Sequence, residues 1–235
     1  PGDQHLPREM QGLRDITWPE AMYRAEVSSL DHEIGRLFDL PRVRDGIVVF
    51  TADHGELMGD HHLFRKLVPY DGSARVPFIL APPRGSNLLP KGARRDEVLE
   101  LRDVMPTLLD AAGLPIPESI EGRSALAAAR GETTPARYLH GEHSMWGPLG
   151  TPHWITDGRE KYVWFSGTGQ EQLFDLVNDP QERHDLMRTP AGEARAQRWR
   201  QTLIAELTGR EEGFTDGEKL IPGRPTKPVL AHVLG

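Results

Sequence analysis

At 235 residues, 37% hydrophobic and 27% charged, the chain is long enough to bury a core and polar enough to read as a soluble globular protein. A formal net charge of −7 argues against general nucleic-acid binding, which requires a basic surface, and no apolar run approaches the roughly 20 residues needed to cross a bilayer. Cysteine is absent, which removes disulfides, cysteine nucleophiles and thiolate metal sites from these residues. That fits a reducing compartment and leaves both cytoplasm and periplasm open. The opening residues, Pro1-Gly2-Asp3-Gln4-His5, resemble neither an initiator methionine nor a signal peptide, so the chain is expected to begin inside a longer protein.

Residues 1–16 read as a polar lead-in. Thr17-Trp18-Pro19-Glu20 then forms a capping-box pattern ahead of Tyr23, Val27, Leu30, Ile34 and Leu37, whose spacings of four and three predict a helix with one apolar stripe packed against a sheet. Pro41 closes that helix. The uninterrupted run Ile47-Val48-Val49-Phe50 predicts a strand buried on both faces. It leads directly into Thr51-Ala52-Asp53-His54-Gly55-Glu56. Ligands of open α/β sheets bind beyond the carboxyl ends of the strands, so Asp53 and His54 stand where a metal or an anionic substrate would be held.

Residues 55–74 are too polar and too rich in Gly and His for a regular element, and read as an active-site-like loop. His61 and His62 adjoin each other; in an extended loop they point to opposite sides, one to support the ligands and one to solvent. A second strand is predicted at Val76-Pro77-Phe78-Ile79-Leu80. A helix carrying Leu101, Val104, Leu108 and Leu109 ends at Gly113, with Pro106 in its first turn or kinking it. Beyond about residue 135 the pattern changes to a smaller α+β unit. Its elements are a short strand at Tyr138-Leu139-His140, a hairpin turning at Asp157-Gly158, a strand at 172–176 and a helix over 192–208. Glu142 and His143 fall in the loop after the first of these strands. Trp146, Trp154, Trp164 and Phe165 read as packing residues. The Pro-rich end reads as a surface-bound or disordered tail.

Several segments, in the right order over roughly residues 20–187, resemble the C-terminal half of sulfatases of the alkaline phosphatase superfamily. They are 50–61 through Lys66, then Tyr70-Asp71-Gly72-Ser73-Ala74-Arg75-Val76-Pro77, Val104–Asp110 with Gly113-Leu114-Pro115, Glu121-Gly122-Arg123-Ser124, Lys161-Tyr162, and Gln172–Leu176 with Asp179-Pro180. The closest flavour is the arylsulfatase, choline-sulfatase and phosphonate monoesterase type, in which His commonly follows the metal-binding Asp. Asp71 stands where that family usually has Glu. The resemblance implies the C-terminal part of a large mixed-sheet α/β sandwich over 1–135, and a small α+β subdomain with antiparallel strands and a helix over 136–235.

It also implies chemistry. Asp-His-Gly alone reads as a capping aspartate beside an incidental histidine; the extended match makes Asp53 and His54 ligands of a divalent cation, Ca²⁺ first, with Mg²⁺ or Mn²⁺ as alternatives. Lys66 becomes the sulfate clamp and charge stabiliser near the leaving-group oxygen. His143 could line the substrate entrance, although a satisfied loop histidine fits it as well. The family's formylglycine nucleophile arises in a [C/S]-x-P-x-R segment that does not occur here, and the N-terminal metal ligands are not identifiable. The implied enzyme cleaves a small-molecule sulfate monoester with a missing N-terminal half, without nucleic acid or membrane partners and with homo-oligomerisation open. Its rivals are a phosphonate or phosphate ester hydrolase of the same superfamily, or a non-catalytic metal-binding module if the chain is complete.

Overall fold

A computed structural model describes residues 17–144 and 148–225; the polar lead-in, Trp146 and the end of the tail lie outside them. In chain order the helices are α1 (Thr17–Phe38), α2 (Pro41–Arg44), α3 (Asp71–Ala74), α4 (Val104–Ala111), α5 (Leu126–Arg130) and α6 (Pro190–Leu207). The strands are β1 (Val48–Thr51), β2 (Phe78–Ala81), β3 (Leu139–Glu142), β4 (Pro152–Thr156), β5 (Glu160–Phe165) and β6 (Glu171–Asp175). Among the described residues, no helix is long and apolar enough to cross a membrane. They fall into two compact units: 17–66 with Arg75–Ala136, and Leu67–Ala74 with 137–144 and 148–225.

In the first unit, β1 and β2 pair antiparallel, Val48 opposite Ala81 and Thr51 opposite Phe78. All four β1 residues are half-buried, not buried as the apolar run predicts. A two-stranded ribbon cannot cover both of its own faces. The α1 stripe also departs from expectation: Tyr23, Val27, Leu30 and Leu37 are exposed and Ile34 is half-buried. The helix starts at Thr17 and its principal neighbour is α2, so no sheet receives the stripe among the described residues. A line of exposed apolar residues is the kind of surface found at interaction sites.

The α4 region is better closed. Glu100 and Asp103 form a capping box around the 3-10 turn Leu101–Asp103, with the Glu100 amide donating to Asp103 Oδ2 at 2.9 Å. Pro106 sits in the first turn of α4, where its missing N–H costs nothing. At the far end Leu114 N donates to Leu109 O and Gly113 N to Asp110 O, both at 2.9 Å, with Gly113 at φ 69°. This is a Schellman termination, which needs a residue that tolerates the left-handed region. Gly122 has a different reason to be glycine. A Cβ there would lie 2.0 Å from Arg102 O, so only glycine lets the Arg123 amide reach Asp103 Oδ1 at 2.8 Å.

The second unit is an antiparallel meander, β3-β4-β5-β6. The β4–β5 hairpin turns where the sequence predicts, with Asp157 Oδ1 accepting from Arg159 N and Glu160 N and Gly158 at φ 81°. Central β5 is buried along its whole length, and its side chains alternate between two cores. Tyr162 and Trp164 join Ile155 and Leu173 beneath Ala196, Trp199, Leu203 and Leu207 of α6, positions that fall on one helical stripe. Val163 and Phe165 join Phe174 on the other face, with Tyr70 and Trp154 packed against them. Of the four aromatic residues the sequence assigns to packing, the three described here do pack.

Candidate functional site

Four elements of local structure carry the residues in question, two in the first unit and two in the second. The first lies just beyond β1, where Asp53 Oδ1 accepts the His54 amide at 3.0 Å, turning the chain after the strand. His54 Nδ1 lies 2.9 Å from Gly55 O. A carbonyl only accepts, so Nδ1 carries the proton and the Nε2 lone pair is left free. That is how a carbonyl partner sets a metal-binding histidine. The free Nε2 is 3.5 Å from Asp53 Oδ2, a separation that suits two donors on one ion. Asp53 is 84% exposed and His54 38%, so their outer side is open in this chain. One carboxylate oxygen and one imidazole nitrogen fit a divalent cation but do not complete its coordination, which takes at least four donors.

The loop that runs from here to Lys66 has an unusual backbone. Met58, His61, His62, Arg65 and Leu67 all have positive φ, from 47° to 89°, and none is glycine. Each costs about 1–3 kcal/mol and persists only where surrounding structure dictates it; such residues cluster at functional sites. The dictating group here is Glu56. Its Oε1 accepts from the Met58 amide at 3.3 Å and from the Arg65 amide, while Leu57 N donates to Arg65 O at 2.8 Å beneath the buried Leu57 side chain. The loop neck is therefore cinched between the residue after His54-Gly55 and the residue before Lys66, which is half-buried. His61 and His62 share one 3-10 turn, Asp60–His62, and are not extended. Of the two, His62 is exposed and His61 half-buried.

Immediately after Lys66 the chain enters the second unit. Lys161 on β5 is 2% exposed, and its Nζ donates to Pro69 O at 2.9 Å, to Glu182 Oε1 at 2.7 Å and to Asp71. Glu182 also accepts the Asp71 amide at 2.6 Å. Tyr70 adds an edge-to-face contact with Phe174 and an O–H to Gln172 at 3.2 Å. Asp71, the departure from the family pattern, therefore has a defined partner: the Lys161 of the Lys-Tyr motif.

His143 is half-buried in the second unit, with its amide on Pro152 O at 3.3 Å. Glu142 is not in that loop. Strand β3 continues through it, because Gly141 lets the ladder pass over Trp154: a Cβ at Gly141 would lie 2.2 Å from the indole. The continuation places Glu142 opposite His153, and Glu142 Oε2 lies 3.2 Å from His153 Nδ1. Hydrogen bonding from His153 holds the Glu142 carboxyl well below the usual range despite its burial, and Arg210 adds to the effect. His140, two residues earlier, is pushed down to about 4 by burial and then by His153. This His140–Glu142–His153 cluster was legible only as a histidine and a glutamate two apart, a signal that depended on recognising β3 as longer.

The family described as N-sulphoglucosamine sulphohydrolase, C-terminal, matches residues 59–208. An arylsulfatase of Clostridium perfringens is 45% identical over 221 residues, spanning 91% of this chain and 45% of that protein. A choline-sulfatase of Rhizobium meliloti is 35% identical over 182 residues, 72% of this chain and 33% of the relative. The solved phosphonate monoester hydrolase of Silicibacter pomeroyi superimposes with a TM-score of 0.64 at 27% identity, over 75% of this chain and 38% of that one. The chain thus spans less than half the length of these relatives. The mixed α/β architecture with antiparallel sheets agrees with the alkaline phosphatase-like expectation. On sequence and fold together, the chain belongs to the sulfatase family and corresponds to its C-terminal portion.

Proposed function

We propose that the protein containing this chain hydrolyses sulfate monoesters, with Asp53 and His54 holding a divalent cation and Lys66 holding the sulfate. The reading is carried by the His54 ring, whose Nδ1 is committed to Gly55 O and whose Nε2 is turned to the Asp53 carboxylate. The hard carboxylate oxygen favours Ca²⁺, with Mg²⁺ or Mn²⁺ as alternatives. When bound, the cation polarises a sulfuryl oxygen. The chain's own residues do the rest of what it can contribute. Asp53 and His54 fix the ion's position against β1. Lys66, presented by the cinched loop, neutralises charge that develops on the leaving-group oxygen. His143 lines the substrate entrance. Residues 1–135 serve as the C-terminal part of the catalytic α/β domain and residues 136–235 as its small subdomain. The nucleophile and the remaining metal ligands come from sequence outside this chain, which also covers the exposed face of α1.

Steady-state rates of the full-length protein on paired aryl sulfate and aryl phosphonate esters test this. Asp53→Asn and His54→Ala should each reduce sulfate-ester turnover by roughly 100-fold or more while the protein stays folded, as loss of a principal electrostatic stabiliser does. Turnover within a few-fold of wild type in either variant refutes the metal assignment. Turnover confined to phosphorus esters would move the protein to the activity of its phosphonate-hydrolase relative.

A further inference from the structure

We infer that His140, Glu142 and His153 form a binding site for one transition-metal ion of the zinc class on the small sheet of the second unit. Strand geometry brings the three together. His140 and Glu142 are two apart on β3 and so project from the same face. His153 is the cross-strand partner of Glu142 on β4, and Ile155 is that of His140. The face is the one beneath α6, because His153 packs against Trp164 and Phe214 of that core.

The three donor atoms form a triangle. His140 Nε2 to His153 Nδ1 is 3.3 Å, His153 Nδ1 to Glu142 Oε2 is 3.2 Å, and His140 Nε2 to Glu142 Oε2 is 4.0 Å. The point equidistant from three atoms with those separations lies about 2.1 Å from each, the circumradius of that triangle, and zinc sits about 2.0–2.2 Å from nitrogen and oxygen ligands.

A hydrogen-bond network alone accounts for the cluster less well. Two imidazole nitrogens facing each other share at most one proton. If His140 Nε2 carries it, His153 Nδ1 turns a lone pair to the Glu142 carboxylate 3.2 Å away; if His153 Nδ1 carries it on a neutral ring, His153 Nε2 is a bare lone pair. That atom is buried, on a residue of 0% exposure, and has no hydrogen-bond partner. If Nδ1 instead gives its lone pair to an ion, Nε2 keeps the proton, and an N–H among the rings of Trp164 and Phe214 is a recognised weak contact. Arg210 grips both carboxylate oxygens of Glu142, at 2.6 and 3.1 Å. A carboxylate oxygen has lone pairs enough to accept that bond and bind an ion, and such outer partners orient metal ligands. Two nitrogens and one oxygen select zinc, cobalt or nickel over the all-oxygen preference of calcium. Glu142, 40% exposed, leaves a solvent side through which an ion enters and at which water completes four-coordination.

The test uses full-length protein stripped with chelator, in an Asp53→Asn background that removes the other expected metal position, titrated with Zn²⁺ and with Co²⁺. One zinc should be retained through gel filtration, and cobalt should give the intense visible bands of a tetrahedral complex. Adding His140→Gln, or separately Glu142→Gln, should weaken zinc binding by at least roughly tenfold. Zinc should raise the melting temperature of the His140 form, and should not do so after His140→Gln. His140→Gln is the decisive variant, since it leaves the Arg210–Glu142 pair in place. No retained zinc in the Asp53→Asn protein overturns the site. So does zinc affinity, or zinc-induced thermal stabilisation, that His140→Gln leaves unchanged.

Discussion

Replacing Lys161 with methionine probes the device that holds residues 67–74. Methionine keeps most of the lysine's volume and removes its charge, so the change is electrostatic more than steric. Lys161 and Glu182 are each 2% exposed, which leaves water little chance to screen either one. Removing one partner of such a pair strands the other, at a cost of roughly 3–5 kcal/mol, or a melting shift of roughly 10 °C. The pH dependence has a definite sign. Burial raises the Glu182 carboxyl above its ordinary value of 4.5, against the attraction of Lys161. A group raised on folding contributes stability below its unfolded value and loses it as pH rises through the folded value. Without Lys161 that attraction is gone and the carboxyl rises further. The variant's deficit should therefore grow as pH rises from 4.5 through neutrality, and Lys161→Met with Glu182→Gln should be less damaged than Lys161→Met alone. Thermal melts of the full-length variants across this range measure the deficit, and hydrogen exchange at the Ser73 and Ala74 amides reports the loop locally. A flat pH profile, or a loss below about 1 kcal/mol at neutral pH, would refute the reasoning.

Gly141→Ala should lower stability by roughly 1–3 kcal/mol in a denaturant melt, because the new methyl meets the Trp154 ring within 2.2 Å. Glu160→Gln should blunt acid unfolding. Burial raises the Glu160 carboxyl, but bonds from Trp199, Arg198 and Arg195 outweigh it and hold the carboxyl below its usual value. Its stabilising share is thus present above 4.5 and lost as pH falls through the lowered value, and a melt-versus-pH series should show that loss only in wild type. Glu56→Ala leaves the Met58 and Arg65 amides without their carboxylate. Ester hydrolysis by the full-length protein should fall roughly 10–100-fold, and a double variant with Lys66→Ala should lose little beyond Lys66→Ala alone. Fully additive losses would show that Glu56 acts elsewhere.

The elements with strong local rules were readable from sequence. The Asp157-Gly158 hairpin and the Gly113 helix end rest on turn chemistry, and the helix expected over 192–208 forms as α6, each within a residue or two of expectation. The α1 stripe was read correctly as apolar, but its burial depends on partners that the sequence of α1 does not encode. The sequence predicts a strand only to His140, whereas β3 runs on to Glu142, with Gly141 making room for the Trp154 ring on a neighbouring strand. Asp53 and His54 stood out because they follow an apolar run. Asp71 stood out only as a departure from the family pattern, and Glu56 and Glu182 not at all, because each acts through a partner 90, 9 or 21 positions away.

Segment 67–74 leaves one unit, is fastened into the other by a buried lysine, and returns. No single cut of the polypeptide can then separate the two units cleanly. A fragment starting at Arg137 would carry Lys161 and Glu182 without Pro69 and Asp71, and one ending at Ala136 would carry a strand of chain with nowhere to dock. In gene rearrangement the pair should travel as one cassette, and crossovers placed near residue 136 should yield insoluble halves.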